Sequence, residues 1–345
     1  MLPESDRAPG TTAASKVEWS LRHAHVRSII YQALLAAAVG LAAWYVISNA
    51  AENLRQQRIA SGFGFLRREA GFEIGETTFL SYSAADTYLR AVAVGFLNTF
   101  RVAGLAIIFS TLFGVFIGLA RLSVNWLLAK FAEGYVEVIR NVPLVVQLFF
   151  WYSVISEILP APAEALSPLP GVFLSNRGFA FPILVAGAPI ALEYPVLSAF
   201  NFSGGALLSP EFAALFLGLT LYTAAFIAEI VRAGVLAVEH GQFEAAYSLG
   251  LSRRQVTRYI VLPQALRVIV PPVTSQYLNC TKNSSLAVAI GYPDLVSIAN
   301  TTINQTGQAI EGIVVIMIVY LTISLAISGF MNWYNRRFAL RGSQL

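Results

Sequence analysis

Long apolar stretches recur along this chain, and they restrict its possible folds more than any other feature. One covers residues 29–47, and others of comparable or greater length cover residues 91–119, 213–238 and 312–330. A helix of about 20 apolar residues crosses the hydrocarbon core of a bilayer. Because lipid offers no hydrogen-bond partners, such segments must satisfy their backbone groups internally, as helices do. The sequence therefore predicts an all-α protein that crosses a membrane several times.

Composition supports this prediction. Hydrophobic residues make up 56% of the chain and charged residues only 12%, and the mean hydropathy is +0.64. A water-soluble domain carries about 25% charged residues. The single cysteine, Cys280, excludes an internal disulfide framework. The net charge of +4 fits basic loops on the cytoplasmic side of a membrane better than it fits nucleic-acid binding.

Six membrane-spanning helices are predicted, with both chain ends inside the cell. Residues 1–27 are polar and form a cytoplasmic tail, and residues 28–48 form an uncleaved N-terminal anchor, since this run begins too far from Met1 for a signal peptide. Residues 49–88 form a loop on the outside. The transmembrane domain, residues 89–338, contributes a core of five helices, and residues 339–345 form a second cytoplasmic tail.

Breaks in the apolar pattern give further detail within the transmembrane domain. Residues 156–210 contain eight prolines and one basic residue, which predicts an insertion on the outside. Within this insertion, residues 179–192 are apolar but short, so we expect a re-entrant or interfacial segment. Residues 291–311 are expected to form an outside turn, and Pro143 to kink or restart the third span, residues 135–155.

Several polar residues fall inside the predicted spans, where exposure to lipid is costly. They must face protein or a water-filled cavity, so they are candidates for lining a path through the membrane. Glu229 and Arg232 lie three residues apart and share a helix face, so an ion pair with a purely structural role is an equally good interpretation of these two. The candidate path residues are Asn98, Asn141, Glu229, Arg232, Lys282, Asn283, Ser284 and Ser285.

A polar, basic segment, residues 239–263, separates two of the apolar runs. It predicts two short helices joined by a sharp turn. Gly250 stands where a helix ends in a left-handed residue, and Ser252 with Gln255 forms the pattern of a capping box that opens the second helix. We expect this second helix to run to Pro263, which cannot continue it but can start the next helix. The segment is either a docking element for a soluble partner or an ordinary basic cytoplasmic loop.

The residues of this segment resemble the EAA loop of bacterial ABC importer permeases. The resemblance covers about residues 90–338 and is closest to the polar amino-acid branch, the histidine and glutamine type. An extra first span and residues 62–74 are most similar to the Q-type subunit of general L-amino-acid permeases, whose middle region is usually longer than residues 156–210 here. The matching positions are Glu244-Ala245-Ala246, Gly250, Ile260, Leu262-Pro263, Leu97-Asn98-Thr99, Arg140-Asn141-Val142-Pro143-Leu144, Ala228-Glu229-Ile230-Val231-Arg232 and Lys282-Asn283-Ser284-Ser285-Leu286.

This resemblance implies the permease subunit of an ATP-driven importer of L-amino acids in the bacterial inner membrane. The implied partners are a second, homologous permease subunit, ABC ATPase subunits that hold ATP and magnesium, and a periplasmic amino-acid-binding protein. Glu229 is the candidate partner for the substrate ammonium group, and residues 282–285 are candidates for its carboxylate. The residues implied to couple the loop to the ATPase are Glu244, Ala245, Ala246, Gly250, Leu262 and Pro263.

Two other classes of protein compete with this interpretation. The chain has no GxxxxGK[ST] motif, so it is not the ATPase itself, and we expect it to bind no cofactor or metal. A membrane enzyme is disfavoured because no nucleophile–base pair or carboxylate pair stands out. The alternative is a secondary amino-acid transporter without an ATPase partner. The EAA loop argues against it, because such a transporter needs no binding site for an ATPase subunit.

The predicted topology can be tested by cysteine labelling in intact cells, in a variant that lacks Cys280. We expect a membrane-impermeant thiol reagent to label Ala165→Cys from outside and to leave Arg254→Cys unlabelled until the membrane is opened. Labelling of Arg254→Cys from outside would contradict the six-span topology.

Overall fold

The computed structural model describes residues 24–56, 62–185, 191–198 and 200–338. Of the predicted tails, residues 1–23 of the first (1–27) and all of the second (339–345) lie outside these ranges, whereas residues 24–27 belong to the first helix. Residues up to Ser61 and residues from Gly62 onward form two separate units. The first unit contributes one helix, α1 (Ala24–Gln56), which contains the predicted anchor. None of the residues in its apolar segment is buried within the chain, as expected for a helix surrounded by lipid or by another protein.

The second unit consists mainly of helices. Short π-helical or 3₁₀ segments extend several of them, including Val154–Ile158 after α4, Val256–Val261 between α7 and α8, and Ser284–Ile290 after α8. The helices are α2 (Tyr88–Ala120), α3 (Trp126–Asn141), α4 (Leu144–Ser153), α5 (Pro210–Leu236), α6 (His240–Ser248), α7 (Arg253–Gln255), α8 (Leu262–Asn283), α9 (Leu295–Thr306) and α10 (Ala309–Phe338).

Helices α2 and α5 pack together along most of their length and form the centre of the unit. Their backbones approach closely at Gly114 and Gly118, which are four residues apart on one face of α2. A Cβ atom at Gly114 would lie 2.7 Å from the Cβ of Ile227, and one at Gly118 would lie 2.7 Å from the carbonyl oxygen of Ala228. Small residues at this spacing allow membrane helices to pack backbone to backbone, so these glycines set the contact.

Four helices among the described residues are long and apolar enough to cross a membrane, namely α1, α2, α5 and α10. Two further spans exist only if each of two bent helix pairs is taken as one span. The predicted count of six spans is therefore reached only if each bent pair crosses the membrane as one span. The first bent pair is α3 and α4, which meet at 104°. Pro143 caps α4 and holds Val142 in an extended conformation, so the third span breaks where Pro143 was expected to restart it.

The second bent pair corrects the predicted outside turn at residues 291–311. That region contains α9, which leaves the preceding helix at 53°. Gly291 ends the helical run in the left-handed conformation, with φ of 79°. Asp294 then caps α9 by accepting a hydrogen bond from the backbone N–H of Ser297 at 2.8 Å. Gly307, with φ of 72°, ends α9 in the same way.

The all-α prediction is wrong for residues 166–208, which form eight short strands. Four of these make an antiparallel sheet in the order β1-β2-β3-β8, and β4-β5 and β6-β7 are two-stranded hairpins. Residues 179–192, expected to be re-entrant or interfacial, contribute to β3, β4 and β5 where they are described. The strands are β1 (Leu166–Leu169), β2 (Val172–Ser175), β3 (Gly178–Phe181), β4 (Ile183–Val185), β5 (Ala191–Glu193), β6 (Val196–Ser198), β7 (Asn201–Ser203) and β8 (Ala206–Leu208).

Turn residues explain why this region is a sheet rather than a helix. Gly171 and Gly178 have positive φ, and they frame the hairpin connections of β2. At Gly178 a Cβ would overlap the carbonyl oxygen of Leu208, so only glycine allows β8 to pair beside β3. Frequent prolines interrupt any helix longer than a turn or two. The strands therefore follow from local turn chemistry that hydropathy alone does not register.

We expect Gly114→Val to weaken folding by about 1–3 kcal/mol, because its side chain would overpack the α2–α5 contact. Gly104→Val is the matched control, since a Cβ at Gly104 of the same helix meets nothing within 4 Å. Thermal unfolding in detergent, followed by fluorescence-detected size exclusion, measures both. An equal loss in the two variants would show that helix propensity, and not the close approach of α2 and α5, is the cause.

Candidate functional site

The first half of the loop at residues 239–263 is the short helix α6, which ends in a Schellman motif. Gly250 has φ of 77°, as predicted for the residue that ends this helix. Its N–H donates to the carbonyl oxygen of Tyr247 at 2.9 Å, and the N–H of Leu251 donates to that of Ala246 at 3.2 Å. These two bonds close the helix end and fix the direction in which the chain leaves it.

The second half of the loop begins with the predicted capping box. The backbone N–H of Ser252 donates to Oε1 of Gln255 at 2.9 Å, which confirms the pairing expected from sequence. As predicted, a new helix, α8, begins with Leu262-Pro263, but the second helix does not end before it. The helical run continues from Arg253 to Ile290, because Pro263 lies at the start of α8, beyond a wider π-helical turn that removes the clash of its ring. The loop therefore leads directly into a long membrane helix.

A small apolar cluster holds the two halves of the loop together. Ala246 of α6 is buried against Val256 and Val261, and Val238 and Ala265 complete the cluster. Ala246 therefore fixes the angle of α6 and does not lie on the outer surface of the loop. By contrast Glu244 and Ala245 are exposed, as are Tyr247 and Leu249. The result is a rigid corner that presents α6 to the surroundings, which is a geometry suited to insertion into a groove on a partner.

A cluster of three charged side chains lies at the end of α5 that leads into this loop. Glu229 accepts a hydrogen bond from Nη2 of Arg232 at 2.6 Å and also binds the guanidinium group of Arg121, at the end of α2. The spacing in the sequence predicts the Glu229–Arg232 pair, whereas Arg121, more than 100 residues away in the chain, joins it only through the fold. Both carboxylate oxygens of Glu229 are therefore occupied, and the cluster joins α2 to α5.

A polar cavity of about 440 Å³ adjoins this cluster. Arg121 and Glu229 line it together with Asn141 and Arg140 at the end of α3. The guanidinium group of Arg140 lies over the ring of Phe226, 4.9 Å from its centroid. The structure thus brings two predicted path residues, Asn141 and Glu229, to one cavity.

The other predicted path residues lie elsewhere. Asn98 is buried, and its side-chain amide donates to the carbonyl oxygens of Glu76 and Pro293 at 2.9 and 3.0 Å, so it joins elements rather than lining an open surface. Ser284 is buried as well and donates to the carbonyl oxygen of Thr281 at 2.7 Å. Ser285 donates to the carbonyl oxygen of Lys282, also at 2.7 Å. Asn283 is partly buried, whereas Lys282 is exposed.

Lys282 belongs to an exposed stripe along α8. Its five members are spaced alternately four and three residues apart, so they share one helix face. Polar groups on the outer face of a membrane helix are costly in lipid, which indicates that this face meets protein or water. We call this surface the α8 stripe, and its residues are Val268, Pro272, Ser275, Asn279 and Lys282.

Glu229 and Lys282, the predicted partners of the two ends of one amino acid, do not come together. Helices α5 and α8 run in opposite directions, since Ile227 packs with Val273 and Gly234 with Ile269. This register places Glu229 about ten residues along α8 from Lys282, or roughly 15 Å at 1.5 Å per residue. The ammonium and carboxylate groups of an amino acid share one carbon, so these two side chains of a single chain cannot hold both at once.

Comparison with known proteins places this architecture in a family. Residues 110–340 match the family described as "Binding-protein-dependent transport system inner membrane component". The general L-amino acid transport system permease protein AapQ of Rhizobium johnstonii is 43% identical, with 96% of this chain and 98% of the relative covered. The putative amino-acid ABC transporter permease protein YhdX of Escherichia coli K12 is 45% identical, with 94% and 98% covered.

The alignment with AapQ extends over 394 positions, more than the 345 residues of this chain, so that relative has internal segments without a counterpart here. Among solved structures, a crystal structure of an amino acid ABC transporter with histidines superimposes with a TM-score of 0.54 at 27% identity. That superposition covers 72% of this chain and 95% of the other. The MetNI methionine ABC transporter in an inward-facing conformation shares the fold, with a TM-score of 0.51 at 18% identity over 72% of this chain and 97% of the other.

These matches confirm the resemblance inferred from the sequence motifs. Homologous permeases of this kind are non-catalytic membrane components of their transporters, in agreement with the prediction that this chain is not an enzyme. The chain therefore belongs to the family of binding-protein-dependent transport system inner membrane components, and it is related along nearly its whole length to permeases of amino-acid ABC transporters.

Proposed function

We propose that this chain is a permease subunit of an ATP-driven importer of L-amino acids in the bacterial inner membrane. It forms the translocation path with a second, homologous permease subunit. ABC ATPase subunits hold ATP and magnesium on the cytoplasmic side, and a periplasmic binding protein delivers the amino acid. The names of the relatives support the substrate class, and the architecture of the loop at residues 239–263 supports the ATPase partner.

The observation that carries this proposal is the mechanical continuity of the loop with α8. Helix α6 is locked to the start of the helical run Arg253–Ile290 by the cluster around Ala246 and by the Schellman motif at Gly250. We expect a force applied to the exposed side of α6 to move the start of α8 with it, since this cluster and these hydrogen bonds join the two. A secondary transporter has no ATPase partner and so needs no loop that transmits movement from one.

The α8 stripe is the part of this chain that we assign to the translocation path. It is exposed within the chain and polar over the half that ends at Lys282. The second permease subunit supplies the facing wall, and the amino acid passes between the two. Movement of α6 by the ATPase then changes the position of the surface that contacts the substrate.

Glu229 has a structural role in our proposal. It belongs to the ion-pair cluster that joins the cytoplasmic ends of α2 and α5. Its two arginine partners neutralise its charge and leave no free carboxylate oxygen for a substrate ammonium group. We therefore assign Glu229, Arg121 and Arg232 to holding the two central helices in register beside the coupling loop. These contacts therefore support a structural role for the Glu229–Arg232 ion pair.

We expect Gly250→Val to lower both substrate-stimulated ATP hydrolysis and transport while the subunit still inserts and assembles. A β-branched residue disfavours the left-handed conformation at Gly250 by about 1–2 kcal/mol, and relief of this strain would change the angle of α6. The measurement is ATPase activity in proteoliposomes with and without loaded binding protein, together with amino-acid uptake. Both the stimulated hydrolysis and the uptake should fall.

Gly250→Asn is the matched control, because asparagine tolerates the left-handed conformation while also adding a side chain. It should keep most of the coupling, since a Cβ at Gly250 meets no atom within 4 Å. If Gly250→Asn failed as severely as Gly250→Val, loss of close contact with the partner, rather than strain, would be responsible. Wild-type hydrolysis and uptake in both variants would refute the assignment of this loop as the element that couples the ATPase to α8.

We expect Lys282→Met to reduce uptake several-fold without preventing assembly. A lysine at membrane depth costs about 3 kcal/mol on insertion scales, a cost that suggests a functional role for its charge. Lys282→Arg keeps the charge and should retain more activity. Initial rates of uptake at several substrate concentrations, normalised to assembled complex, test the prediction. Unchanged uptake by Lys282→Met would show that this side chain only reaches toward the membrane interface.

A further inference from the structure

The β-rich insertion between α4 and α5 is unusually poor in charge. Residues 156–209 contain four charged side chains: Glu157, Glu164, Arg177 and Glu193. Domains that face water carry about one charged residue in four. The fraction of charged residues in the insertion is therefore as low as in the membrane-spanning parts of the chain, although the insertion consists of short strands that do not span a bilayer.

Short tethers keep this insertion at the level of the helix ends. Strand β8 ends at Leu208, two residues before α5 begins at Pro210, and Phe179 and Leu208 pack against the cluster that contains Phe212. On the other side, the backbone N–H of Asn176 donates to the carbonyl oxygen of Pro160 at 2.9 Å, just beyond the segment that extends α4. The sheet thus lies directly beside the point where α5 enters its apolar segment.

The hairpin β6–β7 is fixed to this sheet through one strand face and carries exposed apolar side chains at its turn and on strand β6. The ring of Phe202 in β7 stacks on Phe173 of β2, with 4.7 Å between centroids and 18° between planes. Phe202 is buried by this contact. Phe200, at the turn of the hairpin, is 86% exposed, and Val196 is 63% exposed. The stacking of Phe202 on Phe173 therefore anchors a hairpin that exposes a phenylalanine at its turn.

The neighbouring hairpin shows the same character. Leu184 in β4 is 72% exposed and Leu192 in β5 is 51% exposed. Together with Phe200 and Val196 they form what we call the hairpin surface. Its members lie on two separate hairpins, so the exposure is a property of the insertion and not of one aberrant side chain.

We propose that the hairpin surface is inserted into the headgroup and acyl-chain boundary of the membrane, at the end of the bundle where α5 begins. Its occupant is lipid rather than a soluble partner. A surface that binds and releases a soluble protein in each transport cycle is about as polar as the rest of a protein surface. In the described residues of these two hairpins the only charged side chain is Glu193, which lies on the opposite face of β5 from Leu192.

The backbone limits how deep this insertion can reach. Two-stranded hairpins leave a row of unpaired N–H and C=O groups along each edge, and these groups cannot be exposed within the hydrocarbon core. At the boundary, water and headgroups satisfy them while the side chains of Phe200 and Leu184 reach the acyl chains. The insertion thus holds the outer end of α5 at a fixed depth in the membrane.

The test is site-directed spin labelling of the complete transporter in proteoliposomes, with Cys280→Ala as background. Labels are placed at Phe200→Cys and, as a second position, at Leu184→Cys. Glu164→Cys is the control on a charged, exposed residue of the same insertion. Power saturation with oxygen, which partitions into lipid, and with a water-soluble nickel chelate reports the surroundings of each label.

We expect the ratio of oxygen to nickel accessibility to shift upward at Phe200→Cys and Leu184→Cys relative to Glu164→Cys. The shift should disappear when the transporter is moved to a lipid-free amphipathic polymer. High accessibility to nickel at both label positions would show a water-facing surface and overturn the proposal. Low accessibility to both reagents would show that a protein covers the surface, which equally overturns it.

Discussion

The close approach of α2 and α5 is the contact on which the rest of the structure depends. At its middle, Gly114 and Gly118 remove the side chains that would separate the two backbones. At one end, the guanidinium group of Arg101 lies 4.2 Å from the ring centroid of Phe212 and pairs with Glu76 at 3.1 Å. At the other end, Glu229 binds Arg121 and Arg232. Van der Waals contact thus fixes the separation, and the charged groups fix the register.

The two ends of this pair carry different kinds of structure. Beside Arg101, residues 62–87 cross the bundle and bury Phe65 and Ile74 against α2 and α9, and the β-rich insertion adjoins the start of α5. Beside Glu229, the chain turns through α6 into α8. In our proposal, this central pair of helices stays in place, so that a displacement imposed at the loop is transmitted to α8 instead of being absorbed by the bundle.

The shape of α8 matters for the same reason. It carries Pro271 and Pro272 in its interior, follows a π-helical turn and passes into a 3₁₀ segment at Ser284. Each of these irregularities weakens the regular hydrogen-bond ladder at a defined place. The proposed path residues lie on this helix, whereas the glycine-packed α2–α5 pair is regular. In our proposal the rigid pair supports the structure, and the irregular helix beside it moves.

The sequence by itself determined the elements whose cause is local. Apolar runs gave the long helices, Gly250 and the Ser252–Gln255 pair gave the corner of the loop, and Pro143 gave the break between α3 and α4. The EAA pattern also led to the family before any geometry was known. Only the tertiary structure decided that Arg121 completes the Glu229 cluster, that Ala246 faces inward, and that Glu229 and Lys282 stand apart. These facts depend on how α2, α5 and α8 dock, a long-range packing choice that periodicity and capping patterns within one segment do not contain. The strands of residues 166–208 were not predicted for a related reason. The pairing of β3 with β8 joins residues more than 20 positions apart, whereas hydropathy shows only that the segment is apolar.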